Sequence, residues 1–200
     1  MSEHGGGIHA LLVDDETALL EQEKIFLNKK IDNFSVETTT SPRKALDLLD
    51  KESFDAVVSD YEMPEMDGLD FLKTVREDRQ DDIPFIIFTG KGREEVAMEA
   101  LNLGADRYLQ KGGSPKSQYG VLAQAIVQEV KHAKLEMEKK KVEAQLSSLV
   151  KGTDDLIFVV DENCRYTFAN EATLKSEDVK RGDLIGSRFS DFHPEEDSKT

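Results

Sequence analysis

The sequence is poor in cysteine and contains no long apolar run. A single cysteine, Cys164, excludes an internal disulfide, and no paired Cys/His spacing predicts a zinc site. No apolar run approaches the roughly 20 residues that a membrane-spanning helix requires. Residues 1–7 are rich in glycine and lack the basic-then-apolar pattern of a signal peptide. We therefore expect a cytoplasmic protein with no membrane partner.

Basic charge is also scarce. The 200-residue chain has 41 acidic and 26 basic residues, which gives a formal net charge of −15, and it contains no long basic run. This balance argues against direct binding to nucleic acid or to anionic membranes, both of which attract positive surfaces. The length exceeds that of one typical domain, so we expect one domain and a smaller unit.

Short apolar runs alternate with segments of helical period between residues 8 and 109. This alternation predicts repeated βα units, and hence an α/β fold with a five-stranded parallel sheet wound on both faces by helices. The middle strands are continuously apolar, as strands covered on both faces should be. The predicted strands are Ile8–Val13, Phe34–Thr38, Ala56–Ser59, Phe85–Thr89 and Asp106–Leu109. The predicted helices are Glu16–Lys29, Pro42–Lys51, Leu69–Glu77 and Arg93–Leu103, with Ser41 as an N-cap.

A long last helix is predicted from about Lys116 to Val150, because no helix breaker interrupts the chain after Gly120. Its first part has apolar residues that can pack on the sheet. In its second part, Leu135, Val142 and Leu149 recur every seven residues among charged side chains. This repeat favours a short coiled coil and a homodimer, and a solvated helical linker is the alternative.

Acidic residues follow two of the predicted strands. Asp14 and Asp15 come directly after the first strand and Asp60 after the third, while Thr89 ends the fourth and Lys111 follows the fifth. The carboxyl ends of parallel strands meet at one edge of a sheet, where such folds bind their ligands. We therefore expect these five side chains to share one pocket.

Three carboxylates in one pocket predict a bound cation. Each pair would repel by roughly 3 kcal/mol at ~5 Å and an effective dielectric near 20. Mg²⁺ prefers oxygen ligands, so Asp15 and Asp60 are candidate direct ligands and Asp14 an outer one. Lys111 and Thr89 would then hold the anionic oxygens that appear when the Asp60 carboxylate, acting as the nucleophile, becomes an acyl phosphate.

Four sequence motifs resemble those of response-regulator receiver domains of two-component signalling: LLVDDE, VVSDYEMPEMDGLDFL, FIIFTG and YLQKGG. The resemblance covers about residues 8–130 and implies a flavodoxin-like fold of five parallel strands and five helices. It further implies that a histidine kinase phosphorylates Asp60. Asp14 and Asp15 would be the acidic metal pair for Mg²⁺, with the backbone carbonyl of Glu62 as a further ligand.

The same resemblance implies a conformational switch. Thr89 and Lys111 match the hydroxyl and the lysine that engage the phosphoryl group, and Tyr108 matches an aromatic residue that turns inward with the threonine. Where the family usually has proline after the lysine, this sequence has Gly112 and Gly113.

Two further positions bear on how long a phosphoryl group would last. Gly90 follows Thr89 at a position that usually carries alanine or serine, which predicts unusually open access to Asp60. Glu62 and Lys91 occupy positions that tune dephosphorylation in such proteins, and we expect them to pair across the mouth of the pocket.

Past Gly152 the pattern changes to two strand-like segments and short polar helices. Residues 155–175 and 182–196, in a segment that starts at about Ala144, are similar to the first half of a PAS sensor domain, with Asn170 and His193–Pro194 fitting its pattern. We expect a partial α+β PAS-like domain whose open strand edges invite pairing with another chain. Cys164 lies in the turn between the two strands, which argues against a flavin site, and the lone His193 is weak evidence for haem.

The resulting hypothesis has four segments: a tail (1–7), a receiver domain (8–130), a helical linker (131–150) and a partial PAS-like domain (151–200). We predict a phosphoacceptor whose only chemistry is its own phosphorylation and dephosphorylation, with output through protein contacts. One alternative is a phosphohydrolase that forms an aspartyl phosphate. The other is the amino-terminal fragment of a larger hybrid sensor histidine kinase.

Overall fold

The computed structural model describes residues 7–90 and 94–193. The chain divides into two compact units, residues 1–136 and 137–200. Among the described residues, no helix combines the length and the apolar character needed to cross a membrane.

The first unit is built on a five-stranded sheet. All neighbouring strands are parallel, in the order β2-β1-β3-β4-β5. This order confirms the predicted doubly wound α/β fold, and each strand begins and ends within one residue of its predicted position. The strands are β1 (Ile8–Val13), β2 (Phe34–Thr39), β3 (Ala56–Ser59), β4 (Phe85–Thr89) and β5 (Arg107–Gln110).

Helices alternate with these strands. They are α1 (Thr17–Lys30), α2 (Pro42–Lys51), α3 (Gly68–Lys73), α4 (Glu94–Asn102) and α5 (Pro115–Gly152). The Ser41 side chain accepts a hydrogen bond from the Lys44 N–H at 3.5 Å, which confirms the predicted N-cap of α2. The predicted helix Leu69–Glu77 is divided, since α3 gives way to a π-helical turn at Thr74–Asp78. Arg93, the predicted start of the fourth helix, lies outside the described residues.

Two hydrophobic cores lie on opposite faces of the sheet. Neighbouring residues of β1 belong to different cores, because successive side chains of a strand point to opposite faces. Leu12 packs with Leu27 of α1 and Ile126 of α5, whereas Leu11 packs with Ala45 of α2 and Phe71 of α3. The sheet is therefore covered by helices on both faces, as its apolar strands predict.

Helix α5 changes character along its 38 residues. Its first part buries Leu122, Ile126 and Val130 in the core that contains Leu12. Farther along, Val142 and Leu149 of the predicted heptad are 56% and 73% exposed. The second half of the helix thus presents apolar side chains to solvent at the spacing of a coiled-coil seam.

The second unit contains an antiparallel hairpin of β6 (Phe158–Val160) and β7 (Tyr166–Ala169). Three short helices follow: α6 (Glu171–Ser176), α7 (Arg181–Leu184) and α8 (Phe189–Phe192). Their small core joins Tyr166, Ala169, Leu174 and Leu184. Cys164 is exposed and lies in the turn of the hairpin, where it was predicted to lie, with a φ of 57°.

Candidate phosphoacceptor site

The carboxyl edge of the sheet brings together four of the predicted site residues. Asp14 follows β1, Asp60 follows β3, Thr89 ends β4 and Lys111 follows β5. Backbone hydrogen bonds extend the sheet to these positions, from the Asp60 N–H to the Val13 oxygen at 2.8 Å and from the Lys111 N–H to the Thr89 oxygen at 2.7 Å. The positions of these residues are therefore set by the backbone.

Lys111 is the centre of the site. Its Nζ donates hydrogen bonds to Asp14 Oδ2 and, at 2.9 Å, to Asp60 Oδ1. The side chains of Lys111, Asp14 and Asp60 are 13%, 4% and 11% exposed. One ammonium thus bridges two largely buried carboxylates, and both hydrogen bonds are strong because they join charged groups.

The other oxygens of the two carboxylates accept backbone hydrogen bonds. Asp14 Oδ1 accepts from the Glu16 N–H, and Asp60 Oδ2 accepts from the Glu62 N–H, both at 2.8 Å. Each carboxylate is therefore fixed at both oxygens. This holds the Asp60 side chain in one orientation towards the pocket.

The electrostatics leave a net negative site. Burial raises the pKa of Asp60, and the charge of Asp14 raises it further, against the lowering effect of Lys111. Burial lowers the pKa of Lys111, but its hydrogen bond to Asp14 and the charges of both aspartates outweigh burial and raise that pKa. Lys111 consequently remains an ammonium. Its single positive charge is less than the combined negative charge of Asp14 and Asp60.

Gly68 packs directly against the backbone of Asp60. A Cβ added at Gly68 would lie 2.3 Å from the carbonyl oxygen of Asp60, well inside a van der Waals contact. Asp67 caps α3 at this point, since its Oδ1 accepts from the N–H groups of Leu69 and Asp70. The start of α3 therefore packs against the backbone of Asp60 and helps to fix its position.

Asp15 lies at the mouth of the site and is exposed. It lines a shallow pocket of about 410 Å³ together with the loop after Asp60, namely Tyr61, Glu62, Met63, Pro64 and Asp67. The ligand atoms available here are carboxylate and carbonyl oxygens, which a hard cation such as Mg²⁺ prefers. The residues present therefore fit such an ion.

The two predicted switch residues lie on neighbouring strands. Thr89 is 1% exposed at the end of β4. Tyr108 is half-buried on β5, opposite Ile87, and packs against the core that contains Leu11. Lys91, predicted to pair with Glu62, lies outside the described residues.

The glycines around the pocket leave open space. A Cβ added at Gly90 or at Gly112 would meet no atom within 4 Å. The Gly112 N–H donates to Gln118 Oε1 at 2.9 Å, which ties the turn after Lys111 to the first turns of α5. Gln118 was not predicted from the sequence, because nothing in its surroundings distinguishes it from an ordinary helical glutamine.

Glu23 was also missed. It lies on α1, is 2% exposed, and has no hydrogen-bond partner for its Oε1 among the described residues. Burial raises the pKa of Glu23 to about 7, opposed by the charge of Lys111 and assisted by those of Asp14 and Asp60. The protonation of this buried acid is thus coupled to the charges of Lys111, Asp14 and Asp60. Its polar sequence neighbours, Gln22 and Lys24, give no sign that it is buried.

Two protein families match the chain. The model of the response regulator receiver domain family matches residues 10–119, and that of the PAS fold matches residues 150–200. Among curated proteins, the chain is 39% identical over 108 residues to response regulator SaeR of Staphylococcus epidermidis and 38% identical over 108 residues to that of Staphylococcus aureus. These matches cover 54% of the chain and 45% and 46% of the relatives, so the chain spans about half their length.

Solved structures agree with this assignment. A response regulator receiver domain protein from Clostridium thermocellum matches with a TM-score of 0.56 and 29% identity, over 64% of this chain and 98% of that one. The chemotaxis response regulator CheY4 of Vibrio cholerae matches with a TM-score of 0.53 and 29% identity, over 60% and 98%. With a family match over more than half of its length, the chain belongs to the response regulator receiver domain family of two-component signalling.

Proposed function

We propose that this chain is a phosphoacceptor response regulator that receives a phosphoryl group on Asp60 from a histidine kinase. The observation that carries the proposal is the pair of hydrogen bonds from Lys111 Nζ to Asp14 and Asp60 at the carboxyl edge of the sheet. An ammonium held against an aspartate in this way is suited to stabilise the charge of a transferring phosphoryl group.

The chemical step is a displacement at phosphorus. A carboxylate oxygen of Asp60 attacks the phosphorus of a phosphohistidine whose imidazole is protonated on its other ring nitrogen. The bond between phosphorus and the imidazole nitrogen breaks, its electron pair stays on that nitrogen, and the imidazole leaves as the neutral free base. An acyl phosphate then stands on Asp60. Lys111 stays charged throughout and faces the new anionic oxygens, and the Glu62 N–H keeps the Asp60 side chain oriented.

A divalent cation completes the site. Asp14, Asp15, Asp60 and the backbone carbonyl of Glu62 are the groups that would hold Mg²⁺. When bound, Mg²⁺ supplies positive charge that offsets the excess of carboxylates and screens the incoming phosphoryl oxygens. The exposed side chain of Asp15 and the shallow pocket beside it support this assignment.

Phosphorylation would then change the surface near β4 and β5. An acyl phosphate adds about −1.5 to −2 charge, which draws the Thr89 hydroxyl and Lys111 towards it. Tyr108 would turn inward as Thr89 moves, and the face beside α5 would change with it. We infer that Thr89 and Tyr108 act together as the switch.

The output is inferred to be a protein contact. The chain's net charge of −15 disfavours nucleic acid as a direct partner. The exposed heptad of α5 fits a parallel pairing of two copies, since Leu135, Val142 and Leu149 supply one apolar residue every two turns. We therefore propose a homodimer through the second half of α5.

The test is phosphorylation with acetyl phosphate and Mg²⁺, followed by intact mass and by the rate of phosphate release. We expect the mass of one phosphoryl group on the wild type, none on Asp60→Asn, and an unchanged label on Asp70→Asn, an exposed aspartate of α3. A label that survives Asp60→Asn would overturn the proposal. Rapid multiple turnover on several phosphate esters would instead identify a phosphohydrolase.

A further inference from the structure

A second group of metal-ligating side chains lies away from the carboxyl edge of the sheet. It comprises His9 of β1, Glu37 of β2 and Glu52, the residue that follows α2. A ring nitrogen of His9 and one carboxylate oxygen of each glutamate all lie within 4.8 Å of one another. Nothing in the proposed phosphoryl transfer uses these residues.

The fold places the three side chains together. In the parallel register of β1 and β2, His9 pairs with Ser35 and Leu11 pairs with Glu37. Residues two apart in a strand share a face, so His9 and Glu37 lie on the same face of the sheet. Glu52 ends α2, with its N–H bonded to the Leu48 oxygen at 2.9 Å, and α2 covers that face.

The His9 ring is oriented by one hydrogen bond and one ring contact. Its Nδ1 lies 3.1 Å from the carbonyl oxygen of Ser53, and a carbonyl oxygen only accepts hydrogen bonds, so Nδ1 carries the proton and donates it. The ring also stacks on Phe54, with ring centroids 4.4 Å apart. When Nδ1 donates in this way, Nε2 is the nitrogen that can bind a metal ion. Metal-binding histidines are commonly oriented by this kind of hydrogen bond to a backbone carbonyl.

The charges around Glu37 and Glu52 also favour a cation. Within residues 7–90 and 94–193, no Lys, Arg or His nitrogen forms an ion pair with Glu37 or Glu52. Asp55, which is close in sequence, by contrast pairs with Lys134 at 2.8 Å. Two carboxylates held this close to each other repel, and a divalent cation between them would remove the repulsion.

We propose that His9, Glu37 and Glu52 form a binding site for a divalent cation of the zinc class. One imidazole nitrogen and two carboxylate oxygens are the ligand types that Zn²⁺ accepts, with a water in the fourth position. Tetrahedral ligand atoms lie roughly 3.3 Å apart at zinc bond lengths. The exposed Glu52 side chain can rotate to close the remaining distance.

This site is separate from the acidic pocket. His9 precedes Asp14 by five residues of extended chain, which places the two about 17 Å apart along β1. The acidic pocket offers only oxygens and suits Mg²⁺, whereas an imidazole ligand favours Zn²⁺ over Mg²⁺. A bound ion would tie β1 and β2 to the end of α2.

The experiment is calorimetric titration of the full chain with Zn²⁺, in the presence of saturating Mg²⁺ and in a Cys164→Ser background that removes the free thiol. We expect one equivalent of Zn²⁺ to bind. His9→Gln, Glu37→Gln and Glu52→Gln should each weaken it by about 10- to 100-fold or more. His193→Gln is the matched control, because His193 also lies beside a carboxylate, Glu177, at 3.3 Å.

Thermal unfolding supplies an independent readout. Zn²⁺ should raise the unfolding temperature of the parent chain and of His193→Gln but not that of His9→Gln, while labelling of Asp60 with Mg²⁺ verifies that each variant is folded. The proposal fails if the parent binds no equivalent of Zn²⁺, if His9→Gln binds as tightly as the parent, or if excess Mg²⁺ displaces the ion. The proposal would also be overturned if His193→Gln alone, among the four variants, failed to bind Zn²⁺.

Discussion

Lys111 Nζ lies 2.9 Å from Asp60 Oδ1, and the same ammonium also donates to Asp14. The two aspartates come from different strands, and each is fixed at its other oxygen by a backbone N–H. Removing Lys111 would therefore leave two carboxylates that cannot turn away from each other. The lysine acts as a counter-ion for the site as well as a candidate ligand of the phosphoryl group.

Lys111→Met should slow labelling of Asp60 by acetyl phosphate by at least about tenfold, because a hydrogen bond between charged groups contributes about 1.5–3 kcal/mol. The missing ammonium should also raise the pKa of Asp60 further. Labelling rates at several pH values measure both effects. Lys116→Met, at the exposed start of α5, is the control and should label normally. Equal rates for the two variants would contradict the assigned role of Lys111.

Glu23→Gln should change how stability depends on pH. The pKa of Glu23 is raised from 4.5 to about 7, so between these values the folded chain keeps a proton that the unfolded chain loses. The wild type is therefore favoured at low pH, and its stability relative to Glu23→Gln falls as pH rises. The relative loss should reach roughly 3 kcal/mol by pH 8. Urea unfolding of both proteins at pH 5, 6, 7 and 8 measures it, and a difference that is constant with pH would refute it.

Gly68→Ala should destabilise the first unit by about 1–3 kcal/mol, because the new methyl group would meet the Asp60 carbonyl oxygen at 2.3 Å. Labelling of Asp60 should slow as its backbone moves. Gly120→Ala is the matched control, since a Cβ there meets no atom within 4 Å and the residue lies inside α5. It should stabilise the chain by about 0.5–1 kcal/mol. Chemical denaturation distinguishes the two signs.

Asn170→Ala should unfold the hairpin of the second unit. The Asn170 Oδ1 accepts from the N–H groups of Ile157 and Thr173, and its Nδ2 donates to the Asp155 oxygen at 2.8 Å. Asn170 is 1% exposed, so its loss leaves several buried polar groups unpaired, at a cost of about 3 kcal/mol. Amide hydrogen exchange should show lost protection in β6 and β7. Labelling of Asp60 should be unchanged, and a parallel loss of labelling would show that the prediction is wrong.

The periodic parts of the fold were predictable from the sequence. Strands such as Ala56–Ser59 are continuously apolar and directly bounded by polar residues, so their position, type and burial follow from one pattern. The end of the third helix was less predictable. The π-helical turn at Thr74–Asp78 has the composition of ordinary helix. What distinguishes it is a backbone hydrogen bond from the Arg79 N–H to the Thr74 oxygen, five residues back, which no sequence pattern predicts.

Parts of the site were predictable for a related reason. Asp14, Asp60, Thr89 and Lys111 each end or follow an apolar strand, and parallel strands bring such positions to one edge. Glu23 and His9 have no such marker. Their surroundings depend on which helix covers which face and on contacts between residues distant in sequence, such as the hydrogen bond from His9 to the Ser53 carbonyl group.

Leu11 and Leu12 are neighbours in the chain, yet they belong to two hydrophobic cores that lie on opposite faces of the sheet and have no residue in common. The sheet thus acts as a partition, and a larger or smaller side chain on one side cannot be accommodated by repacking on the other. Substitutions in the two cores should accordingly be free to accumulate independently. The two sets of substitutions should be constrained together only at the carboxyl edge of the sheet, because the positions of Asp14 and Asp60 depend on the packing of both faces.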